Sequence, residues 1–242
     1  MKKTFFKKKV SLVVLCNVDP KNVIHTKRKN IEDRINDFEK SLPFWLSLDL
    51  FKNIIVIENS DFQGDLFKKH IKQSTNKKNI ELIVYDGQKY SRKLGKGFGW
   101  YQQFNKVIKY SKKAKRSEYF VIVTGRYIIK NIKEMLLKTE TPLMCDITKN
   151  LSLGYSPVTL FSKDFIKKYW LKFCSQTNDS KGITMEHQQA KAILRAISDG
   201  YRWQLPPMSA DIIAVSAISN TAYRRSFLHS LILKYYSYLK KF

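Results

Sequence analysis

The sequence predicts an α/β protein, a three-layer sandwich with helices on both faces of a mostly parallel central sheet. Three observations carry that expectation. Short apolar runs at Val10–Cys16, Asn53–Glu58, residues 80–85 and residues 119–123 have the continuous, β-branched character of strands buried on both faces. Segments of helical periodicity separate them, and such alternation is the mark of parallel crossovers. Each run also stops at polar residues, where an open sheet gathers its ligand.

Taken in order, the first strand follows a basic stretch from Met1 to Lys9. That stretch looks like the start of a secretory leader, but the apolar run behind it is short. It leads into Asn17, Val18, Asp19 and Pro20 with no small-residue cleavage site. Residues 29–50 put Ile31, Ile35, Phe38, Leu42, Trp45 and Leu46 near a helical period, and Pro43 is expected to bend or break it. Leu66–Gln73 reads as a second helix. A basic, glycine-rich loop from Lys93 to Trp100 then opens into a helix over residues 101–111.

The second half is less regular. It reads as a helix over 128–138, strands over 142–147 and 156–161, and a helix over 163–174 anchored by Phe165, Tyr169 and Trp170. A further helix starts near Gly182 or Thr184 and runs to Ser198, followed by an extended 205–208 and a last strand over 212–218. Residues 1–221 form one domain on this reading. Residues 222–242 form a basic amphipathic C-terminal helix, with Phe227, Leu228, Leu231, Ile232, Tyr235 and Leu239 on one face. Such a face suits either an anionic membrane surface or packing on the domain.

Of 242 residues, 43% are hydrophobic, which is ample for a core. The formal net charge of +25 asks for an anionic partner: nucleic acid, lipid headgroups or a phosphorylated small molecule. A lysine-favouring genome would give the same excess. Cys16, Cys145 and Cys174 are too widely spaced for a zinc knuckle and odd in number for a disulfide framework, so a reducing, cytoplasmic compartment is expected. No apolar run approaches the ~20 residues needed to span a bilayer.

Two stretches carry the chemistry. In the first, Gly95, Gly97 and Gly99 let the backbone pass close to a ligand, Lys96 adds charge, and the helix that follows offers free N–H groups to an anion. In the second, an apolar strand ends at Thr124, Gly125, Arg126 and Tyr127, which places Arg126 where a charged substrate sits. Together they point to a phosphate-bearing ligand, with Lys96 and Arg126 neutralising a diphosphate. Asn17, Glu58, Asn59 and Ser60 follow the first two strands and are candidates for holding a nucleoside; a plain polar loop fits them equally. Glu186 and His187 at a helix start are the candidates for proton chemistry, weighed against a capping role. No acidic pair closes a strand, so no divalent metal or other cofactor is expected. Asp86 and Asp146 would be the first carboxylates to re-examine, and Asp146 is counted with the substrate-binding residues.

Several of these residues also recur in a known order. The run Asn53 to Ser60, the stretch from Gly95 to Gly99, Thr124 to Tyr127 with Asn131 and Ile132, and Glu186-His187 resemble a family of bacterial glycosyltransferases encoded in capsule and lipopolysaccharide loci. The likeness runs from about residue 10 to 220. It implies a GT-A-like fold and transfer of a sugar from a nucleotide donor, UDP-linked, to a lipid-linked surface glycan at the inner face of the cytoplasmic membrane. The chain departs from the family pattern at Trp100 and Ile122, where Glu and Lys are usual. The alternative is a basic nucleic-acid-binding protein without enzymatic activity. The aromatic residues fall in apolar helix and strand patterns rather than on an RNA-recognition sheet, so no nucleic acid is expected as partner.

Overall fold

The computed structural model describes residues 10–223 except Asn22, Gln63 and Ser156. The basic first stretch and the expected C-terminal helix from Arg224 onward lie outside the described residues. The central sheet is built on β1 (Val10–Cys16), β2 (Asn53–Glu58) and β3 (Ile80–Val84), all parallel, with β4 (Tyr119–Thr124) parallel to β1 on its other side. The register runs from Ser11 opposite Asn53 to Cys16 opposite Glu58, and from Val10 opposite Tyr119 to Leu15 opposite Thr124. All four strands therefore end at one edge. Beyond β4 the sheet turns antiparallel through β7 (Val158–Ser162) and then β6 (Leu143–Met144), giving the order β3-β2-β1-β4-β7-β6.

Alternation along the strands builds the three layers. Leu12, Val14, Ile54, Val56, Val121 and Val123 face α1 (Ile31–Ser47) and α2 (Leu66–Gln73), meeting Phe38, Leu42, Trp45 and Phe67. Val13, Leu15, Ile55, Ile57, Phe120 and Ile122 face the other way. They meet α3 (Gly95–Tyr110), the short α4 (Lys112–Lys115), and a helix that runs on as α6 (Lys163–Phe165), a π turn (Ile166–Trp170) and α7 (Leu171–Cys174). α8 (Met185–Ser198) completes that layer. Its Gln189 is buried and fully used: it accepts from the Trp170 indole at 3.0 Å and donates to the Gly154 carbonyl at 3.0 Å.

The expected α/β architecture with a mostly parallel sheet is present, and four local expectations change. Pro43 does not break α1, because it sits on the exposed side while Leu42, Trp45 and Leu46 bury the opposite stripe. The helix expected over 128–138 is a strand, β5 (Ile128–Ile129), followed by α5 (Ile132–Leu137). Asn131 sets that break, donating to the Ser209 carbonyl and accepting from the Asp211 N–H, both at 2.8 Å. The last strand shrinks to β8 (Ile212–Ile213) and pairs with β5 rather than with the central sheet. Finally, the glycine stretch is not a loop. Gly95, Gly97 and Gly99 form the first turns of α3 itself, behind a tight turn at Arg92 to Leu94.

Candidate active site

The direction of connection reverses between β1 and β4, which makes the space outside their carboxyl ends the switch point where open sheets of this kind place a ligand. Asn17 leaves β1 on one side of it and Thr124-Gly125 leave β4 on the other. The two walls touch closely: a Cβ at Gly125 would lie 2.6 Å from the Cys16 sulfur, so no larger residue fits there. The Gly125 carbonyl accepts from the Trp45 indole at 3.2 Å. Behind this point Arg126 is only 5% exposed and donates to Asp37 Oδ2 at 2.8 Å and the Val215 carbonyl at 3.4 Å.

Asp37 is shared. Arg28 binds its two oxygens at 2.7 and 2.9 Å. Arg34, 5% exposed, donates instead to the carbonyls of Asn17 and Arg28, and burial followed by the charge of Arg126 pushes its guanidinium down to about 9. Two guanidiniums, Arg28 and Arg126, thus meet the carboxylates of Asp37 and Asp33 at the switch point, with a third, Arg34, held beside them on backbone carbonyls. The local charge stays positive.

At β2 the nucleoside candidates separate into two kinds. Glu58 is wholly buried, and its carboxylate accepts from the N–H groups of Val18 at 3.1 Å, Ser60 at 2.9 Å and Phe62 at 3.1 Å, and from the Ser60 hydroxyl. Those donors use it up as a brace for two loops. Asn59 lies beside Asn17, whose amide donates to it at 2.8 Å, and its carbonyl accepts from the Gly87 N–H at 3.0 Å. Ser60 accepts from the Asp19 N–H at 3.1 Å and bridges to Asp86. Asn17, Asn59 and Ser60 form one corner.

The glycines of α3 are needed for close contact with this chain's own residues. Gly95 takes a φ of +82°, and an added Cβ would lie 1.8 Å from the Asp179 carboxylate. The Gly97 N–H donates to that same carboxylate, so the head of α3 already faces an internal anion. Asp179 is held above its ordinary range by burial and then by Glu186, while Lys96, His25 and the Gly97 N–H pull the other way. Sequence patterns gave no sign of Asp179, because it lies some eighty residues from the glycines it covers.

The Tyr127 and Tyr223 hydroxyls lie 3.4 Å apart, and the Arg126 guanidinium lies 5.8 Å from the Tyr127 ring. The charge of Glu186 also bears on Asp179 and on the Tyr155 phenol, raising both. Burial raises the phenol of Tyr127, which is 7% exposed, strongly; the phenol of the half-exposed Tyr155 is raised too, where desolvation is joined by the neighbouring Tyr223 and Glu186. Asp146 stands behind Tyr155, its carbonyl accepting the Tyr155 N–H at 3.0 Å. His187 has a different use: its Nδ1 meets the Thr184 hydroxyl at 3.0 Å and closes a capping box at the start of α8. The residue pair therefore splits, Glu186 toward the edge and His187 into the cap.

The two departures from the family pattern also have structural reasons. Ile122 is 1% exposed in the core facing α8, where a lysine would be a buried charge, and Trp100 packs on Trp170 at 5.5 Å. Among the described residues no three His, Cys, Asp or Glu side chains converge as a ligand set, and no helix is long and apolar enough to cross a membrane.

No protein-family model matches this chain, and no curated protein matches its sequence. Solved structures do resemble it in layout. A 4-diphosphocytidyl-2C-methyl-D-erythritol synthase from Anaerococcus prevotii DSM 20548 aligns over 95% of this chain and 96% of its own, with 10% identity and a TM-score of 0.45. The apo form of WbbM, a bifunctional glycosyltransferase, aligns over 77% of this chain with 10% identity and a TM-score of 0.44. This chain covers 37% of the WbbM chain, well under half of its length.

Proposed function

We propose that the protein is a GT-A-like glycosyltransferase that takes a UDP-linked sugar at the carboxyl edge and passes the sugar to a lipid-linked surface glycan, of lipopolysaccharide, lipooligosaccharide or capsule. One observation carries this reading: at the carboxyl edge the guanidiniums of Arg28 and Arg126 gather on Asp37 behind Tyr127, whose hydroxyl meets that of Tyr223, while Asn17, Asn59 and Ser60 form a polar corner beyond β1. That edge offers positive potential together with amides, hydroxyls and phenols. A nucleotide sugar has the complementary division, an anionic diphosphate joined to a hydroxyl-rich ring. The order of motifs shared with surface-glycan glycosyltransferases supports the same conclusion.

On this reading Asn17, Asn59 and Ser60 hold the nucleoside, and Glu58 braces their loops. Lys96 approaches the diphosphate beside the head of α3, where Asp179 already holds the Gly97 N–H, and the arginine cluster around Arg126 supplies positive potential behind it. Thr124 and Gly125 form the floor, while Tyr127 and Asp146 belong to the sugar side. Glu186 receives the proton of the acceptor hydroxyl as the new C–O bond forms, and the sugar–phosphate bond breaks with its electron pair leaving on the nucleoside diphosphate. His187 acts by setting the start of α8. Because lysine and arginine supply the counter-charge, no divalent metal is required. The protein would work at the inner face of the cytoplasmic membrane, where its basic tail meets anionic lipid.

Thermal melting in the presence of UDP-, CMP- and GDP-sugars tests the donor site. The expected result is a rise of several degrees with one nucleotide sugar and none with the free sugar. Arg126→Ala should abolish turnover, and Arg126→Lys should restore little, since a point charge does not replace a planar fork. No response to any nucleotide sugar, together with retention on DNA that falls steeply with salt, would favour the nucleic-acid reading instead.

A further inference from the structure

A groove of about 310 Å³ lies outside the edge just described, between the turn after β3 and the outer face of α3. From α3 it takes Gln102, Asn105, Lys106, Lys109 and Tyr110, spaced as one helical stripe, and from the β3 turn it takes Tyr85 and Lys89. At 1.5 Å of rise per residue, that stripe is about 12 Å long. The turn that lines the groove is tied to the nucleoside corner, because the Tyr85 N–H donates to the Glu58 carbonyl and Gly87 to Asn59. Its one carboxylate, Asp86, is paired with Lys89 at 3.4 Å, so Lys106 and Lys109 leave a net positive wall.

The aromatic rings here hold a cation. The Lys106 ammonium sits 5.1 Å from the Tyr85 ring centre and 4.5 Å from that of Tyr110. The Gly87 backbone lies against Tyr85 as well: a Cβ there would fall 2.5 Å from the ring. The Tyr85 ring is therefore closed off as a stacking platform for single-stranded nucleic acid, and Tyr110, 63% exposed, is the one ring in the groove open to solvent. The remaining groups are ammonium ions for anionic substituents and two side-chain amides, Gln102 and Asn105, able both to donate to and accept from hydroxyls. The buried Tyr85 hydroxyl at the groove's inner end has no hydrogen-bond partner among the described residues.

We propose that this groove binds an acidic glycan chain, with Lys106 and Lys109 on its anionic groups and Gln102 and Asn105 on its hydroxyls. Combined with the transferase reading, which the identity of the chain as acceptor rests on, the groove would anchor an anionic part of the acceptor away from the reacting end.

Binding alone tests the groove, with no donor present, so a failure here is distinct from a failure of the transferase reading. The probe is a hexasaccharide of galacturonic acid, titrated calorimetrically into the full chain at moderate salt. Two charge-reversed pairs are compared: Lys106→Glu with Lys109→Glu in the groove, and Lys172→Glu with Lys191→Glu on exposed positions elsewhere. The groove pair should weaken binding at least about tenfold, a difference of about 1.4 kcal/mol, and the distant pair less than about twofold. Asn105→Ala, which leaves the charge unchanged, should weaken it about threefold and keeps the test valid if the charge-reversed pair unfolds. Equal losses in both pairs would mean that only net charge matters and would overturn the proposal. So would an absence of binding by the native chain, or a single-stranded oligonucleotide that binds more tightly and is lost with the same groove pair.

Discussion

Glu58 shows how a residue in the right place can have another task. A carboxylate at the end of a central strand is where a ribose is commonly held, yet here three backbone N–H groups and a hydroxyl from its own loops claim it. Glu58→Gln keeps one acceptor oxygen and turns an N–H donor toward those groups. The expected loss is about 3 kcal/mol of stability, read from urea unfolding, with nucleotide affinity lost only through the loops. Asp179 gives a pH prediction. Its folded-state pKa is raised above the ordinary 3.8, so the folded protein binds the proton more readily than the unfolded chain does. The contribution of Asp179 to stability is then fully present below 3.8 and is lost as pH rises through the raised value. Relative to Asp179→Asn, the native protein should gain melting temperature on acidification from neutral pH, and a difference independent of pH would contradict the burial argument. The sequence marked Lys96 and Gly97 but not Asp179, Arg34 or Asp37. Positions remote in the chain carry no local pattern that would have joined them.

The elements were legible where burial on both faces writes itself into composition. β1, β2 and β4 are continuous apolar runs because each strand meets a helical layer on either side, and their boundaries follow within a residue or so. The glycine turns of α3 misled, since three glycines in five residues read as a loop. Here the helix is instead sustained by neighbours that need their bare faces, including the Tyr90 hydroxyl, 2.4 Å from where a Gly99 Cβ would stand. The region from Ile128 to Leu137 misled differently: Asn131 breaks the periodicity through partners near residue 210. At α8 the cap was legible, and it can be measured. Thr184→Ala removes the acceptor for the His187 N–H and the hydroxyl that meets its ring, and should cost about 1 kcal/mol. If His187 served chiefly the reaction, the same substitution would spare stability and lower turnover.

At the scale of the molecule, +25 charges on 242 residues make the surface attractive to any anionic partner, and geometry has to choose among them. The apolar, basic segment from Arg224 is the part best suited to a bilayer surface. Each basic residue near anionic lipid contributes about 1 kcal/mol, enough for reversible attachment when combined with apolar insertion. Truncation after Tyr223 keeps the contact of that ring with Tyr127 at 5.5 Å. The shortened protein should still melt cooperatively and bind donor, but no longer sediment with anionic vesicles. Its activity on a lipid-linked acceptor should fall far more than on a short soluble one. Aggregation or unfolding of the truncated chain would instead make the segment part of the domain's packing.

The hydrogen bond from Trp45 to the Gly125 carbonyl ties an indole directly to the backbone at the switch point. Indole emission shifts with the polarity and hydrogen bonding of its surroundings, so this molecule carries its own optical probe. Trp100, Trp170 and Trp203 lie on the opposite layer and supply a background. Subtracting the spectrum of Trp45→Phe isolates the single signal. That signal should move when a ligand enters between β1 and β4 and stay still when one occupies only the outer groove of α3. Two binding events that calorimetry would merge can in this way be followed separately by light.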